Sequence, residues 1–307
     1  MILMPRISRY VELTLTDFQK LDTNKTLCLM AVSPIEVHGP HLPLGTDVFI
    51  AEKLQSEYCK ALIEHYPDYN CLILPPIYAG CDPLPIGGSI VIRAKTLESL
   101  LDDYVRSLSR QGFRYLIICD NHGGPSHQMA LEAVAVRAWR RHRFAVINPF
   151  NEVFRKMVQH DEEFLKLVSL PPGECGDDAD CHAGTNETSL MLATNKGLVK
   201  EYKDIPASEP PGLTGVPVII NWLARNLCNI GFTNFGADLK HLANLLAWVN
   251  SPNMLPYLGA PGLATPEAGE RMIKGHVSVT LKLTGKAISG QNHLVKPMLW
   301  SLRAVRK

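Results

Sequence analysis

Several features common in other protein classes are missing from this chain of 307 residues. No stretch approaches the roughly 20 apolar residues that a membrane span needs. The best candidate, Gly212 to Ala224, is cut by Gly215 and Pro217. The opening MILMPRISRY lacks a basic start followed by an apolar core, which argues against a secretory signal and for a cytoplasmic protein. Net charge is only +1, which argues against a broad basic face for nucleic acid or for an anionic membrane. Cysteines are present but never as CxxC. Cys28, Cys71 and Cys119 lie in apolar runs, where a thiol acts as a small core residue, so a reduced set is expected. Cys175 and Cys181 fit no standard zinc-knot spacing. Internal repeats, low-complexity tracts and disordered linkers are also lacking. What remains is a globular chain long enough for a large core, expected to form one domain over residues 1–307 and to suit a small neutral partner molecule.

What is present is an alternation of apolar and amphipathic segments. LCLMAVSP (27–34), CLILPPI (71–77), YLIICDN (115–121) and FAVINP (144–149) read as buried strands. Between and after them, 47–66, 96–111, 125–142 and about 151–167 carry helical spacing, with Gly112 and Pro125 as stop and start signals. Strands that are apolar throughout, alternating with helices, imply an α/β fold whose mostly parallel sheet is covered on both faces. Residues 168–186 should be loop, with a helix starting near Asn186. Residues 204–217 read as a loop excursion, 218–250 as helical or mixed, and 266–285 as the end of the fold.

Ligand-type side chains collect at the ends of these elements. Glu36 and His38 are two apart beyond the first strand, so in extended backbone they share a face. Gly39 and Pro40 stop the strand, and Asp47 falls at the start of the next helix. His122 stands at the tip of the 115–121 strand, followed by Gly123 and Gly124, which keep its surroundings clear. The segment DADCHAGTNETS (178–189) adds Asp180, His182 and Glu187. The carboxyl ends of strands are where open α/β sheets bind ligands. Each residue also has a structural reading: Asp47 as a helix cap, Glu187 as part of a helix start, His122 as a turn residue, His41 as a core histidine, and His160 as part of a solvated helix face. Two histidines and three carboxylates suit Zn, Mn or Fe. Five ligands exceed the three protein ligands of an open catalytic zinc. They suit two divalent ions sharing a bridging carboxylate with a water between them, a pair that makes the water more acidic and polarises a carbonyl. NHGGPS lies where anions can bind a helix start but lacks the lysine of a phosphate loop.

The run SPIEVHGPHLPLGTD resembles the N-terminal signature of the creatininase family of amidohydrolases. NHGGPS and HAGTNETS resemble its second and third motifs, GAPGLATPEAGER (259–271) its Gly-rich C-terminal motif, and IGGSIVI (86–92), more loosely, another segment. The resemblance implies a three-layer α/β/α sandwich and a dinuclear site. Glu36, Asp47 and His122 would hold one ion, and His38, Asp47 and Glu187 the other, with Asp47 bridging. His182 would serve as proton shuttle or carbonyl orienter, and a metal-bridging hydroxide would hydrolyse a small non-peptide or cyclic amide. Zinc is the favoured metal, and a homo-oligomer, commonly a hexamer, is the expected assembly. Gly123-Gly124 stand where creatinine-hydrolysing members have an aromatic residue and a metal-binding glutamate, which moves that ligand to Glu187 and weakens creatinine as substrate. Trp139, Trp222, Trp248 and Trp300 all lie outside 150–180, where those members carry substrate-stacking aromatics. Formamide hydrolysis or small-peptide cleavage in cofactor biosynthesis is the alternative within the family. A redox lyase or isomerase and a non-catalytic metal-binding protein are the alternatives outside it. Residues 200–257 are long for the family and would form a lid or an oligomer contact.

Overall fold

The computed structural model describes residues 5–159, 161–170 and 180–303. The expected positions of His160 and Cys175 lie outside the described residues. Strands β1 (Ile7–Arg9), β2 (Thr26–Ala31), β3 (Asn70–Ile73), β4 (Tyr115–Cys119) and β5 (Ala145–Ile147) form one parallel sheet in the order β1-β3-β2-β4-β5. The helices are α1 (Leu15–Phe18), α2 (Thr46–His65), α3 (Ala94–Arg110), α4 (Pro125–His142), α5 (Phe150–Val158), α6 (Glu162–Leu167), α7 (Thr185–Asn195), α8 (Val216–Asn229), α9 (Thr233–Val249) and α10 (Pro266–Ile288). Among the described residues no helix is long and apolar enough to cross a membrane.

The two-residue period of the strands sorts the core into two layers. Leu27 and Leu29 of β2, with Ile117 and Cys119 of β4, face one cluster that includes Ile50, Leu54 and Tyr58 of α2 and Met272 and Leu283 of α10. Cys28 and Met30, with Leu116 and Ile118, face the opposite cluster, which includes Leu97 and Leu101 of α3 and Ala130 and Val134 of α4. This is the expected α/β/α sandwich: the strands are apolar along their whole length because helices cover both sides.

Chain order fixes where the sheet can open. From β2 the chain crosses to β3 on one side; from β3 it passes back to β4 on the other side of β2. The crevice of a parallel sheet lies at the carboxyl ends of two such neighbours. Glu36 and His38 follow β2 there, and His122 follows β4.

Three details differ from the expectation. The edge strand β1 was not foreseen, since three residues are too few to show a period. The helix expected over about 151–167 is two helices, because the Asp161 carboxylate accepts the Phe164 N–H at 2.8 Å and starts α6 afresh. Residues 218–250 resolve into the hairpin of α8 and α9. The outer side of α8 leaves Ile219 and Trp222 about 60% exposed (60% and 62%).

Helix α10 packs closely on α7, which carries Glu187. At Gly269 an added Cβ would collide with the backbone carbonyl of Ser189, so the two helices approach as closely as glycine permits. Alanine normally favours a helix interior over glycine by about 1 kcal/mol. Here the sign should reverse: Gly269→Ala is expected to destabilise the protein by about 1–3 kcal/mol, the usual scale of overpacking. Urea unfolding would read this directly. An unchanged or higher midpoint would show that the close α7–α10 approach is not under steric control.

Candidate metal centre

Four segments deliver the site. Beyond β2 the chain runs through Glu36 and His38 and then turns at Gly39, whose φ of +66° requires glycine. The Gly39 N–H donates to the Pro256 carbonyl at 2.7 Å, tying this turn to the C-terminal region. Asp47 lies in the first turn of α2. The N-cap is Gly45, with no side-chain capping bond, so Asp47 is not a cap and its carboxylate is fully buried at the sheet end. After β4, the buried Asp120 organises the next turn. Its Oδ1 accepts from Ser33 Oγ at 2.5 Å and from the backbone N–H groups of Asn121 and His122 at 2.9 and 3.1 Å, while its Oδ2 accepts from Gln128 Nε2 at 2.6 Å. The fourth segment pairs His182 with Leu258 in an antiparallel bridge. Ala183 then adopts the left-handed region (φ +47°), a costly conformation for alanine. Its N–H donates to Glu187 Oε2 at 2.6 Å. Glu187 therefore also steadies its helix start, as its sequence position suggested.

The side chains converge. His122 Nδ1 lies 3.0 Å from Glu36 Oε2 and 3.4 Å from Asp47 Oδ2. His38 Nε2 lies 3.5 Å from Asp47 Oδ1 and 3.6 Å from Glu187 Oε2. Glu36–Asp47–His122 and His38–Asp47–Glu187 each bring three ligand atoms within 4.8 Å of one another, and so does Glu36–His38–His182. Glu36 Oε2, His38 Nε2 and Asp47 Oδ2 are buried without a hydrogen bond. Such close approach without hydrogen-bond alignment is what atoms aimed at a common centre show. Ligands about 2.0–2.1 Å from a zinc ion at tetrahedral angles stand about 3.3 Å apart.

Backbone carbonyls fix the ring tautomers. A carbonyl only accepts, so His38 Nδ1–H donates to Glu36 O at 3.0 Å, His122 Nε2–H to Cys81 O at 2.8 Å, and His182 Nε2–H to Val37 O at 2.8 Å. Each ring keeps its other nitrogen for the cluster, the arrangement by which outer partners orient metal-binding histidines. At Gly124 an added Cβ would collide with His122 Nε2 and meet Cys81 O at 2.7 Å, so that glycine protects this hydrogen bond.

Electrostatics point the same way. Burial acts to lower the His38 imidazole, but Asp47 and Glu187 outweigh it and push His38 up to about 10. Burial likewise opposes charge on His122, and Glu36 and Asp47 hold it well above its usual value. Burial raises the Glu36 carboxyl, yet His182, His122 and His38 bring it down to about 2. Glu187 is pushed up to about 8 by burial. Burial lowers His182 to about 4. Protonated His38 and His122 thus balance the charges of Glu36 and Asp47, and Glu187 is neutral.

Thus the structure gathers Glu36, His38, Asp47, His122 and Glu187, with His182 beside them: its Nδ1 is 3.9 Å from Glu187 Oε2. His41 stands apart, bonded to Thr188 Oγ1 at 2.8 Å. Sequence reasoning missed Asn121, whose Nδ2 donates to Asp47 Oδ1 and Glu187 Oε1, both at 3.3 Å, and missed the anchoring role of Asp120. Both residues stand in the strand-tip motif CDNHGG, but their roles depend on partners far along the chain. Within 200–257, expected as a lid or an oligomer contact, sequence reasoning singled out no α9 residue as lining the site. His241, Leu245 and Trp248 line the cavity beside the cluster, and the buried Trp248 ring lies 5.7 Å from that of His182.

The family profile described as Creatininase: Creatinine amidohydrolase matches residues 11–284. A mycofactocin precursor peptide peptidase of Mycolicibacterium smegmatis is 28% identical over 179 residues, 57% of this chain; the match spans only 60% of that protein's length. A creatinine amidohydrolase of Pseudomonas putida is 27% identical over 212 residues, 65% of this chain and 78% of that protein. Among solved structures, a putative creatinine amidohydrolase from Bacteroides fragilis matches with a TM-score of 0.63 at 22% identity, covering 93% of this chain and 98% of that one. A Zn-Zn form of a mutant creatininase matches with a TM-score of 0.60 at 20% identity, covering 91% and 97%. These structural likenesses are likenesses of fold. The motifs and the profile match across nearly the whole sequence agree: this chain belongs to the creatininase family.

Proposed function

We propose that the protein is a metal-dependent hydrolase of a small amide C–N bond, working with two divalent ions. Family members are hydrolases acting on such bonds. The observation that carries the dinuclear reading is the pair of ligand triads sharing Asp47, with buried, unbonded atoms in both. The donor set of nitrogen and oxygen without thiolate fits Zn or Mn. Glu36, Asp47 and His122 would hold one ion; His38, Asp47 and Glu187 the other. Two such ions would make a water acidic enough to attack at neutral pH and would polarise the amide carbonyl.

The chain's own groups supply the rest. Asn121 holds the Asp47 and Glu187 carboxylates in register through its amide hydrogens. His182 is neutral at pH 7 with Nδ1 free, so it accepts a proton and passes it to the departing nitrogen. Glu187, held high by burial in the absence of metal, would give up its proton on binding the second ion and act as a ligand. Helix α9 closes the site on one side, which makes part of 200–257 a wall or lid. The Gly123-Gly124 turn offers no carboxylate, and the substrate we infer is an amide other than creatinine.

Three outcomes follow. Asp47→Ala should remove both ions and the activity together while far-ultraviolet circular dichroism stays unchanged; metal analysis that finds two ions with full turnover would refute the assignment. His182→Ala should lower kcat by about 10²–10⁴ with metal content intact; loss of an ion instead would make His182 a ligand. Metal uptake should also release protons. His38, near 10, and Glu187, near 8, both hold protons at pH 7 in the metal-free protein. An ion needs them deprotonated, so affinity should fall as pH drops from 8 to 6. Calorimetric zinc titrations in buffers of different ionisation enthalpy would show the release; identical heats in every buffer would contradict it.

A further inference from the structure

Beside the cluster lie two hollows, one of about 80 Å³ and one of about 480 Å³. They share Gly123, Phe154, Cys181, His182, Glu187 and His241. The larger is walled by Leu242, Leu245 and Trp248 of α9, facing Met129 of α4 and Leu84. No lysine or arginine lines either hollow among the described residues. Burial lowers His241 to about 4, so it adds no positive charge at neutral pH.

We propose that the amide cleaved here carries a flat, uncharged apolar group of aromatic size, seated in the larger hollow against Trp248, and no carboxylate or phosphate. This rests on the amidohydrolase reading above. Two physical terms select the substrate. An aromatic ring gains from leaving water for a wall of leucine, methionine and indole. A carboxylate on the far side of that ring, away from the ions, would give up its hydration and find no lysine or arginine among the described lining residues in return, and an unpaired buried charge is heavily penalised. A small polar amide would leave the larger hollow unused. Water adds across the C–N bond, so the products are a carboxylic acid and an amine, one of them bearing the ring.

The experiment uses the zinc-loaded full chain and two matched pairs that place the ring at either end of the amide: formanilide with 4-formamidobenzoate, and benzamide with terephthalamate. In whichever pair is cleaved, kcat/KM should be at least about 100-fold higher for the uncharged member. Leu245→Arg, which puts a cation in the wall away from the metal ligands, should narrow that gap at least tenfold with two ions still bound. Equal or better cleavage of the carboxylated member by the wild-type protein would overturn the proposal. Should neither pair be cleaved, binding decides separately from hydrolysis. A rise in Tm of the zinc-loaded protein with benzamide but not with terephthalamate would uphold the apolar seat and count against the hydrolase reading alone. No shift with benzamide, or an equal one with terephthalamate, would overturn the seat itself.

Discussion

Three carboxylates cannot share a dry crevice unless positive charge joins them. Glu36 and Asp47 are almost wholly enclosed, Glu187 nearly so, and their mutual repulsion in a low dielectric is large. In the metal-free protein that charge sits on His38 and His122, while Glu187 keeps its proton and is neutral. Much of the surrounding architecture holds this arrangement open. Asp120 clamps the backbone before His122, three carbonyls fix three imidazoles, and Asn121 bridges two carboxylates. An ion that displaces the protons meets donors already aimed, so little ordering remains to be done on binding.

The fold makes that convergence affordable because the ligands come from far apart in the sequence but from adjacent element ends. The parallel sheet places the tips of β2 and β4 side by side. Helix α2 starts over the same crevice, and α10 presses α7 against it through a contact that admits no side chain at Gly269. Nothing in the sequence separation of Glu36 and Glu187 predicts their proximity; the crossover connections do.

How much of this the sequence disclosed follows from the range of the forces involved. Strands β2 to β5 were legible because burial on both faces leaves an unbroken apolar run. The helices following β2, β3 and β4 were legible from their spacing and from Gly112 and Pro125. The cluster residues stood out because histidine and carboxylate at strand tips are chemically conspicuous, and the motif resemblance grouped them. Strand β1 was too short to show a pattern, and the break before α6 came from one capping aspartate. Asp120 was silent because its role depends on Ser33 and Gln128, which sit on other elements. Trp248 was hidden for the same reason: a tryptophan on an amphipathic helix reads as core until the helix is laid against a neighbour.

Trp248, Leu245 and His241 belong to a helix that contributes no atom to the ligand triads. The cradle and the wall are therefore written in separate stretches of the chain. On the function proposed above, changes in the α9 hairpin would alter the hollow beside the cluster without touching the proposed ligands. In the proposed reading, the side chains that would grip the cations and those that would meet the organic part of the substrate answer to different segments, so a substitution in one need not disturb the other.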